Sequence, residues 1–241
     1  LKISVVVPAF NEEKLIAASL ASIRDAMAGF ADKGWTAELI VCDNNSTDRT
    51  SELARTAGAT VVFEPVNQIG RARNCGAAAA TGDWLVFVDA DSHPSRGLFA
   101  DVAAAIESKT CIFGGSTVQM EGDLFAGKIG MVVWNTTSRV CKYAAGSFIF
   151  CETAAFRQIG GFDNQLFASE ELDLSKKFKR LARATGRRVV ILHRHPILTS
   201  ARKFHIYTAR ELIRLTFHAI ITPRRFIRSR EACHAWYDGR R

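Results

Sequence analysis

No stretch of the 241-residue chain approaches the roughly 18 consecutive apolar residues that a membrane span needs. The apolar opening from Ile3 to Val7 is too short for a secretory signal, so a soluble or peripheral protein is expected. CxxC pairs are missing as well. The six cysteines, Cys42, Cys75, Cys111, Cys141, Cys151 and Cys233, are scattered through a chain too long to depend on disulfide staples, and none sits in an evident Cys/His catalytic arrangement. Free thiols in a reducing, cytoplasmic compartment are the expectation. Neither a GxGxxG fingerprint nor a GxxxxGK[ST] loop occurs, which makes dinucleotide oxidoreductases and P-loop enzymes poor candidates. There is also no internal repeat, no low-complexity linker and no clean domain boundary.

What is present is a globular composition with a basic tilt: 48% hydrophobic, 23% charged, and 32 Lys+Arg against 24 Asp+Glu, a net charge of +8. That excludes a disordered tail, a disulfide-stapled miniprotein and a fibrous repeat, and the length suits a single domain over 1–241. The basic excess is compatible with nucleic acid, anionic lipid or an anionic small substrate, and alone it does not discriminate among them.

Short apolar runs alternate with helical spacing through the first half. Strands are predicted over KISVVVPAF, AELIVC, 61–64 and WLVFVDADS, with helices over 12–31, 48–57, 69–80 and 95–107, and CIFGGSTVQM returns to the sheet. The near-continuous apolar character of these strands fits burial on both faces, giving an α/β fold with an open, mostly parallel twisted sheet flanked by helices. The second half is less regular. Helices are predicted over 124–136, 152–159 and 170–185, strands over GSFIFC and RRVVILH, and an amphipathic helix over 201–222 ending near Pro223.

Ligands of open α/β sheets lie beyond the carboxyl ends of the strands. Polar clusters fall there: Asn11, Glu12 and Glu13; Asp43, Asn44 and Asn45; Asp89 and Asp91; His193 and His195. Residues i and i+2 of a strand share a face, so Asp89 and Asp91 can both reach one cation, and Mg²⁺ binds through few carboxylates together with substrate phosphates. The bland alternative is a pair of loop-solubilising aspartates. His93 is either an outer-shell group or a surface histidine. His193, nearer the predicted strand end than His195, is the metal candidate of the HRH segment, although HxH also arises by chance. Glu170, Glu171 and Asp173 open a helix capped by Ser169. They either simply favour the helix macrodipole or include a general base facing the metal site. Arg71 and Arg73, near Gly70 and Gly76, could neutralise a diphosphate, and so could Arg202 and Lys203, unless these form a solvated patch.

Taken together, VVVPAFNEE, VCDNNSTDRT, NQIGRARNCGAAAATGDWLVFVDAD and GGFDNQLFASEELDLSKK give the chain a specific likeness. In their order and spacing, over about 3–177, they resemble a family 2 glycosyltransferase of GT-A fold, and TSARKF looks like a continuation found in some bacterial members. The resemblance implies transfer of a sugar from a nucleoside diphosphate sugar to a saccharide, lipid or small-molecule hydroxyl acceptor, with inversion. It implies nucleoside contacts from Pro8, Ala9, Glu12 and Asp43, and Arg73 near the nucleotide. It places Mg²⁺ or Mn²⁺ on Asp89 and Asp91 against the diphosphate, and the catalytic base at Glu171. The halves then read as nucleotide-sugar binding over 1–115 and acceptor and catalytic over 116–222, with a basic tail over 223–241. Gly160, Gly161, Phe162, Trp134, Glu170 and Asp173 are the acceptor-side candidates; for Trp134, sugar stacking and core packing are equally open. Three positions depart from the family pattern: Cys42 for the first acid of a DD pair, Glu171 for Asp, and Ser169 for a common glycine.

Competing readings are a retaining transferase, a sugar nucleotidyltransferase and a binding module without turnover. The nucleotidyltransferase is disfavoured because the opening lacks a glycine- and lysine/arginine-rich triphosphate loop. Nucleic-acid binding is the weakest option and no nucleic-acid partner is expected, since nonspecific backbone binding leaves the acidic cluster unexplained. Peripheral contact with the cytoplasmic face of an anionic membrane is compatible with Phe204, Leu212, Leu215 and Phe217 beside Arg210 and Arg214, as is core packing beneath a solvated basic face.

Overall fold

In a computed structural model of the chain, residues 1–122, 125–200 and 227–233 are described, the side chains of 125–129 excepted. In chain order the elements are β1 (Lys2–Ala9), α1 (Ile16–Ala31), β2 (Thr36–Asp43), α2 (Thr50–Thr56), β3 (Thr60–Phe63), α3 (Ile69–Ala79), β4 (Trp84–Val88) and β5 (Ser92–His93). There follow α4 (Arg96–Glu107), β6 (Cys111–Met120), α5 (Phe125–Cys141), β7 (Phe148–Glu152), α6 (Thr153–Gln158), α7 (Glu170–Thr185) and β8 (Arg188–Thr199).

One sheet in the order β3-β2-β1-β4-β7-β6-β8-β5 runs through the described chain. β7 is antiparallel to β4 and β6, and β5 is antiparallel to β8, while the other pairings are parallel. This is the expected open, mostly parallel sheet of GT-A type. The apolar runs are explained by double-sided burial. Val5, Val7, Val86 and Val88 face the cluster that includes α1 and α4, whereas Val6, Leu85 and Phe87 face the cluster beneath α3, α6 and α7. α3 lies close against β1 because Gly76 leaves room: a Cβ there would sit 2.4 Å from Val6 Cγ1. That close approach sets the depth at which the polar side chains of α3 enter the molecule.

Chain order reverses between β1 and β4, which flank each other although β2 and β3 lie beyond β1. A crevice opens at such a reversal, outside the carboxyl ends of the strands. The loops after β1, β2 and β4 all meet there.

Three sequence expectations need correction. α1 begins at Ile16 rather than residue 12, because the carbonyl of Glu12 accepts from Leu15 N and Ile16 N in a preceding turn. β4 ends at Val88, and Ser92 N donates to the Asp89 carbonyl at 3.0 Å, so Ala90 and Asp91 lie in a tight turn rather than an extended strand. β8 runs past His193 to Thr199, with an irregularity between the pairings Ser116↔Leu192 and Val118↔Ile197. The predicted helix over 201–222 lies outside the described residues.

Candidate active site

The loops after β1 and β2 are laced by side chain to backbone hydrogen bonds. Asn11, in the left-handed region at φ 52°, donates its N–H to Ser46 Oγ at 3.0 Å and accepts from Thr47 N through Oδ1 at 2.8 Å. Glu12 is buried, and its N–H donates to Thr50 Oγ1 at 2.7 Å. Pro8 and Ala9 pair with Cys42 and Asp43, and Asn44 N donates to the Ala9 carbonyl at 2.8 Å. Asp43 is also buried: Oδ1 accepts from Ser46 N at 3.0 Å and Oδ2 from Ser51 Oγ at 2.6 Å. Pro8, Ala9, Glu12 and Asp43 therefore come together on adjacent strand ends.

Two residues that the sequence reading passed over tie this corner to the second half. Asn44 takes Gln68 N on its Oδ1 at 2.8 Å, and Gln68 Nε2 donates to the carbonyls of Asn164 and Leu166, both at 2.8 Å. Asn74 grips the backbone of Phe162 from both sides, donating to its carbonyl at 2.9 Å and accepting from its N–H at 3.0 Å. The position of Gln68 just before α3 was the one signal in the sequence; the partners lie too far along the chain for spacing to show them.

At the centre sits Arg73, 1% exposed. Its Nη1 donates to Glu170 Oε1 at 2.7 Å, and its Nη2 donates to Asp89 Oδ1 and the Gly146 carbonyl, each at 2.9 Å. The Phe162 ring lies beneath, 5.3 Å from the guanidinium carbon, and packs edge-on against Phe87. Asp89 is held from the other side through its N–H, which donates to the Ser147 carbonyl at 3.2 Å. Burial works against the charge of Arg73, but Asp89, Glu170 and Glu171 outweigh it and raise its pKa. A buried guanidinium spent in this way positions carboxylates. Among the described residues its hydrogen bonds go to these two carboxylates and the Gly146 carbonyl, one of them to Asp89 of the expected metal pair. Arg71, by contrast, turns outward to Glu64 at 3.2 Å.

Ser169, immediately before α7, sits at φ 62°, ψ 20°, a left-handed conformation that costs an L-residue roughly 1–2 kcal/mol and that glycine adopts without strain. Its side chain makes no cap hydrogen bond, contrary to expectation; its carbonyl accepts from Leu172 N and Asp173 N. Glu170 turns in to Arg73, leaving Glu171 as the neighbouring carboxyl. Burial, then Glu170 and Asp89, push the Glu171 pKa from 4.5 to about 8, against the pull of Arg73. Asp173 is partly exposed and pairs with Lys177 at 3.0 Å.

The acceptor-side and metal candidates fall into differing surroundings. Glu170, Gly161 and Phe162 are buried supports of α3 and Arg73, so they present no surface to an acceptor. Gly160 is exposed at φ 76°, and Trp134 packs partly buried against the larger core. His193 is exposed near the middle of β8, whereas it is Ser200, beyond the strand's end, that bonds the Asp91 carbonyl. Most of the second half of β8 separates the two positions, so His193 stands far from the aspartates. The apolar pattern is interrupted at the exposed His193, Arg194 and His195 and resumes with the buried Ile197, and the interruption made His193 look like the strand end. His195 binds Asp101 at 3.0 Å instead, and His93 faces Glu121 at 3.9 Å. Arg202 and Lys203 lie outside the described residues. All six cysteines are free thiols.

Among the described residues no group of three or more His, Cys, Asp or Glu side chains is arranged to hold a metal. A divalent ion gripped by one or two carboxylates and completed by substrate phosphates needs no such group. Around one arginine stand Asp89, Glu170 and Glu171, an excess of negative charge that a cation would relieve, so the residues fit a Mg²⁺ or Mn²⁺ site of that open kind.

A family model described as "Glycosyl transferase family 2" matches residues 4–159. An uncharacterized glycosyltransferase of Mycobacterium tuberculosis is 36% identical over 105 residues, 44% of this chain and 44% of the relative. Glucosyl-3-phosphoglycerate synthase of Mycolicibacterium smegmatis is 38% identical over 97 residues, 37% of this chain and 30% of the relative. The match thus spans less than half the length of these curated relatives. Among solved structures, a mannosyltransferase from Pyrobaculum calidifontis in complex with GDP-Man and Mn²⁺ superposes with a TM-score of 0.67 at 21% identity, covering 97% of this chain and 68% of the other. Glucosyl-3-phosphoglycerate synthase from Mycobacterium tuberculosis, in complex with Mn²⁺, UDP and phosphoglyceric acid, gives 0.59 at 23% identity, covering 96% and 78%.

Proposed function

The chain belongs to glycosyl transferase family 2, and on that premise we propose that it moves a sugar from a nucleoside diphosphate sugar to a hydroxyl acceptor, with inversion and with Mg²⁺ or Mn²⁺. The observation that supports this best is the set of three carboxylates gathered on the buried Arg73, with Glu171 pushed up to about 8. The curated relative named as a glucosyl-3-phosphoglycerate synthase, and the solved complexes with Mn²⁺ and GDP-Man or UDP, point the same way.

In this reading Asp89 and Asp91 hold the metal, which when bound stabilises charge on the departing nucleoside diphosphate. Arg73 occupies one oxygen of Asp89 and so fixes how the other is presented. Pro8, Ala9, Glu12 and Asp43 form the nucleoside corner at the ends of β1 and β2. Glu171 accepts the proton of the acceptor hydroxyl. Its raised pKa suits proton exchange near neutrality, because a base works best when its pKa lies near the operating pH. Asp173, two residues on and partly exposed, and the exposed Gly160 remain acceptor-side candidates. The division into a donor half over 1–115, an acceptor half over 116–222 and a basic tail over 223–241 belongs to the same proposal, as do a cytoplasmic location and contact of the tail with an anionic membrane. No helix of the described residues is long and apolar enough to cross a membrane.

The test is a screen of UDP- and GDP-sugars for metal-dependent binding, followed by product analysis with the best donor. The expected result is cation-dependent affinity for one nucleotide class, lost in Asp89→Asn and Asp91→Asn, and a product of inverted configuration. Folded protein with no such affinity overturns the reading.

A further inference from the structure

The far end of α7 differs from the end that carries Glu171. Between the last turns of α5 and α7 and the edge of β8 runs a groove of about 860 Å³, continuous through Thr136, Arg139 and His193 with a second cavity of about 400 Å³. Among the described residues no carboxylate lines either. The larger one is walled by lysines and arginines. Lys179 and Arg187 are engaged, Lys179 with the Cys141 carbonyl at 2.7 Å and Arg187 with Glu152. Arg139, Lys142, Arg183 and Arg188 have no side-chain hydrogen bond or ion pair among the described residues. Beside them, on the outer face of α5, Val132, Val133 and Val140 stand 67%, 61% and 76% exposed. Val132 and Val140 also form part of the cavity walls.

Basic side chains gathered without acids resemble an anion site, but a soluble phosphate does not account for three valines held in water on the same rim. An anionic bilayer accounts for both, since headgroup phosphates meet the arginines while short apolar side chains enter the interface. We propose that this groove and the outer face of α5 form a membrane-docking surface for anionic lipid, separate from the basic tail. Arg183 lies twelve residues along α7 from Glu171, about 18 Å at the helical rise, so docking here leaves the reaction site clear of the contact. The inference goes beyond the transferase reading and does not depend on turnover.

The experiment is cosedimentation of the full chain with phosphatidylcholine vesicles, with and without phosphatidylglycerol, at physiological salt. Binding should require phosphatidylglycerol. Arg183→Ala and Arg188→Ala should each weaken it about fivefold, the equivalent of ~1 kcal/mol per basic residue at an anionic surface. Val133→Ser with Val140→Ser should cost a further several-fold. All these positions are solvent-exposed, and circular dichroism with a thermal melt confirms that the variants are folded. Absence of partition into phosphatidylglycerol vesicles overturns the proposal, as does partition unchanged in the arginine variants. Loss confined to Arg224→Ala with Arg225→Ala keeps the membrane contact on the tail and refutes the groove. Saturable binding of inorganic phosphate that depends on Arg183 and Arg188, without vesicle binding, assigns the groove to a soluble anion and also overturns it.

Discussion

The two ends of α7 make opposite use of charge. At the first turn, Glu170, Glu171 and Asp173 crowd the helix start, and the nearest of them is drawn inward onto Arg73, itself 1% exposed. At the last turn, Arg183 and the following Arg188 stand in an open groove that no acid lines among the described residues. Both signs agree with the helix macrodipole, so the dipole explains the placement of the charges but not their difference in burial. That difference follows from what packs against each end. The buried end meets α3, which Gly76 lets approach β1 closely enough to carry an arginine inside. Among the described residues the open end faces α5 across the groove, beside the edge of β8. Charges held rigidly in a low-dielectric setting interact strongly and perturb one another; charges left in water stay available to an outside partner.

The largest expected effect breaks the buried end chemically. Glu171→Gln should lower kcat by roughly 100- to 10,000-fold, the usual contribution of a general base, with donor affinity retained. Normal turnover in the folded variant would remove Glu171 from the role. Next, Arg73→Ala should cost about 3–5 kcal/mol of stability in urea unfolding, since it strands Asp89 and Glu170 without their partner. The same truncation at Arg183 should change stability by less than about 0.5 kcal/mol, which measures the contrast directly.

A pH series sharpens it further. Between pH 4.5 and about 8 the folded protein keeps a proton on Glu171 that the unfolded chain has released. Stability without divalent cation should therefore fall as pH rises through that window. Glu171→Gln lacks this penalty, so its melting temperature should gain on that of the parent across the same window; parallel curves would contradict the raised pKa. The smallest effect is local. Ser169→Gly relieves a left-handed residue and should stabilise by about 1 kcal/mol, less what the added backbone freedom of the unfolded chain removes.

Most of the sheet was legible because β1 and β4 are buried on both faces, and a short unbroken apolar run bounded by turn residues fits a central strand better than an amphipathic helix. The carboxylates of the candidate site were legible because strand ends and helix starts concentrate polar residues at recognisable places. The environment of Arg73 was not. An arginine reads as polar wherever it stands, and only the close packing of α3, with Glu170 lying 97 positions away, turns it inward. β8 was read short for the complementary reason: an edge strand with an irregular pairing tolerates the polar stretch His193–Arg194–His195 that would end a central one. Phe162 was read with its neighbouring glycines as an acceptor-side candidate, while its ring lies under the guanidinium.

Because one guanidinium is shared by the end of β4, the start of α7 and the turn at Gly146, no one of these segments can be exchanged in isolation. Grafting a different acceptor loop onto this scaffold, or selecting for a new donor, should succeed where the graft stops short of Gly146 and Glu170. A graft that crosses them should slacken both sides of the pocket together.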